Sequence, residues 1–79
     1  MKIIAEQPWS HVLLERDGEW ILTLMLHSGA VEHDLSVRLT EQERQAVQAQ
    51  PASLAALLAR IRDDRAAFRP REISPPVWP

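Results

Sequence analysis

From Trp9 to Leu39, apolar and polar residues alternate with a period close to two. That spacing sends successive side chains to opposite faces of a sheet. Three strands are predicted: Trp9 to Glu15, Glu19 to His27, and Ala30 to Leu39. Asp17-Gly18 joins the first two and is a strong hairpin signal, because a type I′ turn needs positive φ at both central residues. Ser28-Gly29 predicts a second tight turn. Residues 2–5 can add a short fourth strand.

Two-residue loops then set the register. They place Arg16 opposite Glu19, Leu14 opposite Ile21 and His11 opposite Leu24. In the second hairpin they place His27 opposite Ala30, Leu24 opposite His33 and Leu22 opposite Leu35. One face collects Trp9, His11, Leu13, Trp20, Leu22, Leu24, Leu26, Val31, His33, Leu35, Val37 and Leu39. A one-residue slip would drive Glu32 and Asp34 into that row, so the parity is strongly specified. The other face is mixed, yet Val12, Leu14, Ile21 and Met25 form an apolar island on it. A patch of that kind beside strand edges calls for a cover.

Past Leu39 the period lengthens. Thr40-Glu41-Gln42-Glu43 has the form of a capping box and opens a helix from Glu41 to Ala49. Pro51 ends or kinks it. A second helix, Ala52 to Ala67, carries Leu54, Leu57, Leu58 and Ile61 at i, i+3, i+4, i+7, with Arg65 and Phe68 extending the stripe. The fold class is therefore α+β. A three-stranded antiparallel β-meander, four-stranded if residues 2–5 join, has one face covered by a C-terminal helix or kinked helix pair. The order is β-β-β-α(-α). Residues 1–68 form a single domain and residues 69–79 an extended, Pro-rich tail, which holds four of the six prolines. Ile73, Val77 and Trp78 are expected to lay that tail over the apolar island.

Length and composition narrow the function. Seventy-nine residues allow one core. Hydrophobic residues at 46% and charged residues at 25% exclude whole-chain disorder. There is no Cys, which excludes disulfides and thiolate metal sites. No apolar run approaches the roughly 20 residues that span a bilayer, and Glu6 comes too early for a signal peptide. A cytoplasmic protein with no membrane partner is expected. Charge is polarised: residues 1–43 carry eight acids against three bases, and residues 44–79 six arginines against three acids.

The candidate chemistry is thin. His11 and His33, both flanking Leu24 in the expected register, lack a third ligand, so neither metal nor cofactor is expected. No Tyr or Cys is present, the five Ser sit in no nucleophile turn, and both Gly belong to turns. An enzyme is not expected. Arg60, Arg62, Arg65, Arg69 and Arg71 crowd twelve positions and are the candidate nucleic-acid contacts. Asp63 and Asp64 dilute them, and a GC-rich genome produces the same Arg bias without selection for binding. What elimination leaves is a non-catalytic protein-binding module. By analogy of class, it is of the kind that serves as a small bacterial inhibitor, immunity-type or adaptor protein. It would use the second sheet face and the strand edges. Val12, Leu14, Ile21, Met25 and Trp78 are its candidate partner-binding residues, toward a protein partner or a second copy in a homodimer. The alternative is a small nucleic-acid-associated regulator using the Arg-rich second helix.

Overall fold

In a computed structural model, which describes residues 1–28 and 31–79, five antiparallel strands lie side by side in chain order. They are β1 (Lys2–Gln7), β2 (His11–Arg16), β3 (Glu19–Ser28), β4 (Val31–Arg38) and β5 (Glu72–Ile73). The sheet thus has five strands rather than three or four. The expected turn residue Gly29 and strand residue Ala30 lie outside the described residues. So do the side chains of 27, 28, 31 and 32, including the expected inward place of Val31.

The first hairpin has the expected register, with Arg16 opposite Glu19, Leu14 opposite Ile21 and His11 opposite Leu24. Asp17 and Gly18 both take positive φ, 53° and 81°, as a type I′ turn requires. The second hairpin is shifted by two residues from expectation. Leu24 faces Leu35, Leu22 faces Val37, Leu26 faces His33 and His27 faces Glu32. An even shift preserves which face each side chain occupies, so the apolar row survives. The shift also separates the two histidines. His11 is opposite Leu24, and His33 is opposite Leu26.

Trp9 departs from the expected strand. Ser10 N–H donates to the Gln7 carbonyl (3.1 Å), closing a turn with Pro8 and Trp9 at its centre. Pro suits the first central position of a type II turn, and Trp9 at φ 65° takes the positive-φ second position. The indole therefore leaves the inward row and is 89% exposed.

Helices α1 (Glu41–Ala49), α2 (Ser53–Asp63) and α3 (Arg65–Phe68) cover the first face. The capping box of α1 is complete. Glu43 N–H donates to Thr40 Oγ1 (3.1 Å), and Thr40 N–H donates to Glu43 Oε1 (2.9 Å). Leu54, Leu57, Leu58 and Ile61 of α2 are buried against Leu13, Trp20, Leu22, Leu24, Leu35 and Val37 of the sheet. The expected continuous helix to Ala67 is broken at Asp64, whose φ of −141° is not helical. The Asp64 carboxylate accepts from Ala67 N–H instead (3.4 Å), an N-cap for a new helical turn. This break brings Phe68 into the core and leaves Arg65 exposed, outside the stripe it was expected to extend.

The tail is also not uniformly extended. Residues Arg69–Arg71 form a 3₁₀ turn with Pro70 in its first positions, where a missing N–H is harmless. Arg71 then forks onto the Glu43 carboxylate, its second nitrogen at 3.2 Å from Oε2. It also donates to the Arg38 carbonyl (3.1 Å) and lies 4.8 Å from the Phe68 ring centre. One guanidinium thus ties the helices, the sheet and the start of the tail together. Immediately afterwards Ile73 pairs with Ser36 and Glu72 with Val37. Among the described residues no helix is long and apolar enough to cross a membrane.

Candidate protein-binding site

The second face of the sheet carries the island expected from the sequence, and the tail lies on it. Val12, Leu14 and Ile21 are buried together with Val77, and Ile73 packs beside them. Three of the expected partner-binding residues therefore have no surface to offer while the tail is in place. Met25 is half-buried. Trp78 is 41% exposed and its indole N–H donates to Asp34 Oδ2 (2.8 Å).

Beneath Val77 lies a polar clamp. Thr23 and Ser36 are cross-strand partners, both fully buried, with their hydroxyls 2.6 Å apart. Val77 N–H donates to Ser36 Oγ (2.8 Å), and Thr23 Oγ1 donates to the Val77 carbonyl (2.7 Å). Thr23 has one proton and gives it to Val77, so Ser36 must donate to Thr23. The result is a closed circuit from Val77 N–H through both hydroxyls and back to Val77 C=O. Every group in it is satisfied, as burial of hydroxyls demands.

Around this clamp the surface is open. A groove of about 440 Å³ runs between Met1, Arg16 and tail residues 73–78. Ile3, opposite Leu14, is on the same face and 48% exposed. Large exposed apolar residues among those described are Met1, Ile3, Trp9 and Trp78. Three of these four belong to β1 or its flanking residues, at the free edge of the sheet. The edge itself is poorly suited to adding a strand. Its register is broken between Ile3 and Ala5, and Lys2 and Glu6 are exposed on it, features that discourage edge pairing. What remains on offer is side-chain surface, above all the indole of Trp9.

Three of the five arginines have partners within the fold. Arg65 donates to Glu72 (3.1 Å) and to His33 Nε2 (2.8 Å), which must accept because guanidinium only donates. Arg71 is held by Glu43. Arg60 lies 5.7 Å from the Phe68 ring centre. Arg62 and Arg69 are exposed. Arg62 is near enough to His11 to act on it: burial first, and that positive charge second, push the imidazole below the usual histidine range. His11 Nδ1 is 2.9 Å from the Ser10 hydroxyl. His11 and His33 thus each have their own local partner. A smaller pocket of about 180 Å³ lies between α1 and α2, lined by Ala46, Val47, Ala56 and Leu57 with Glu43, Ser53 and Arg60.

Two features are faint in the sequence. Strand parity puts Trp9 in the core row; the Pro8-Trp9 pair preceding Ser10 is the turn signal that overrides it. The Thr23–Ser36 clamp left a fainter trace: both are small hydroxyl residues of one face, but the expected register puts Thr23 opposite Asp34, and only the observed two-residue shift pairs them. No family model matches the chain, and no curated protein or solved structure shows significant similarity to it.

Proposed function

We propose that this chain is a non-catalytic protein-binding module that anchors its partner on Trp9, with Ile3 and the β1 side of the second face as flanking contacts. The observation that carries this reading is the state of Trp9. A bulky residue at positive φ is a steric outlier, and left-handed backbone costs an L-residue roughly 1–2 kcal/mol. An indole 89% exposed returns little of that through packing. Gly or Asn would satisfy the turn without strain. A residue kept at such a position against the preference of the backbone points to a use outside the fold. Trp is also among the residue types that dominate binding hot spots. Of the five candidate nucleic-acid arginines, Arg65 and Arg71 are engaged by Glu72 and Glu43, which favours this reading over nucleic-acid binding.

The test uses Trp9→Gly in the full chain. Stability should rise by about 1 kcal/mol, because strain is relieved and no core contact is lost. A photo-crosslinker placed at position 9 and expressed in the producing cell should give one dominant protein adduct, and Ile3→Lys should suppress it. A destabilised Trp9→Gly protein, or a crosslinker that yields no discrete adduct, would contradict the reading.

A further inference from the structure

We propose that the Thr23–Ser36 clamp is a peptide-recognition site, that residues 75–78 of the tail are its occupant in cis, and that it accepts a partner's extended segment of the same chemistry. That chemistry is two prolines, a β-branched residue and a tryptophan. The proposal does not depend on Trp9 meeting a partner.

The clamp reads backbone rather than side chain. It gives an acceptor to the N–H and a donor to the C=O of one residue, Val77. Both hydroxyls are fully buried, so the site needs an occupant that supplies both groups or it must be hydrated. The Val77 side chain packs into a branched apolar pocket of Val12, Leu14 and Ile21. One residue further on, Asp34 takes the indole proton of Trp78 at 2.8 Å. Two prolines precede Val77, and their fixed φ restricts the free segment, which lowers the entropy lost on binding.

The occupant is also separable. Ser74, Pro75 and Pro76 are exposed between the end of β5 and Val77. Lifting residues 74–79 breaks no pairing of the sheet, because the ladder of β5 stops at Ile73. Segments held by few contacts open at low free energy. Opening uncovers a preformed pocket with its two hydroxyls already placed by β3 and β4.

The experiment uses the full chain and a fluorescent heptapeptide with the sequence of residues 73–79. Val77→Asp vacates the site in cis, because a carboxylate will not enter the Val12, Leu14 and Ile21 pocket. The peptide should bind this variant saturably and at least about tenfold more tightly than it binds wild type, where the tethered tail competes. Adding Thr23→Val and Ser36→Ala to Val77→Asp should weaken binding about tenfold or more. A folded Val77→Asp protein that does not bind the peptide overturns the proposal. Should that variant not fold, wild type decides: peptide at roughly millimolar concentration should shift the methyl resonances of Val12, Leu14 and Ile21. Unmoved methyl resonances overturn it. A wild-type dimer that Val77→Asp abolishes would make the occupant a second copy and overturn the foreign partner.

Discussion

The two faces of one sheet are closed in different ways. On the first face, among the described residues, twelve buried apolar residues interlock sheet with helix. On the second, four of the described apolar residues are buried and share the space with two buried hydroxyls and one backbone unit. The first cover is a body of helices whose hold grows with the area it buries. The second is a strap a few residues wide, too small to hold by area, and it holds by directional hydrogen bonds. An area-driven cover fails only when the fold fails. A strap fixed by three hydrogen bonds can lift while the fold persists.

Substitutions should separate the two regimes. Leu57→Ala, on the helix side, should cost about 2–5 kcal/mol of global stability in a denaturant titration. Thr23→Val keeps the shape and removes the proton that Val77 C=O receives. Its loss should be smaller, about 1–3 kcal/mol, because the strap can open and let water serve the stranded groups. If Thr23→Val cost as much as Leu57→Ala, the faces would be equally integral and the contrast would collapse.

Acid should act on the joint between the faces. Burial alone would raise the Glu43 carboxyl, but the Arg71 hydrogen bonds, those from Thr40 and the Arg71 charge outweigh it and hold it below the ordinary 4.5. Its contribution is therefore complete above that value and is lost as pH falls through the lower folded value. His11, pushed below 6.5 by burial and then by Arg62, takes up its proton at lower pH in the fold than in the unfolded chain. Stability should begin to fall below about pH 6.5 and fall again in a second step below about pH 4.5. Glu43→Gln should remove the second step and leave the first, as chemical denaturation across this range would show. A single undivided step unaffected by Glu43→Gln would contradict the assignment.

Periodicity carried much of the fold. Alternation from His11 to Leu39 placed Leu22, Leu24 and Leu35 inward, and the helical stripe placed Leu57, Leu58 and Ile61 against them; all six are buried. The capping box at Thr40 marked the start of α1 to the residue. Errors arose where one local signal competed with another. Helical periodicity ran through Asp64, whose capping tendency won. Strand parity ran through Trp9, where Pro8 started a turn. The second hairpin register moved by two because parity distinguishes odd from even shifts and nothing more. The clamp was the least legible part, since Thr23, Ser36 and Val77 are far apart in sequence and their meeting depends on the path of the tail.

Native-state hydrogen exchange tests the central contrast most directly. The Val77 amide, which donates to Ser36 Oγ, should exchange through a local opening insensitive to low denaturant. The amides of Leu22 and Leu24, buried at the centre of the sheet, should exchange only through global unfolding and follow denaturant with the full slope. A gap of about 2 kcal/mol or more between the two is the expected result. A Val77 amide as protected as Leu22, with the same denaturant dependence, would show that the strap never lifts on its own and that both faces belong to one inseparable core.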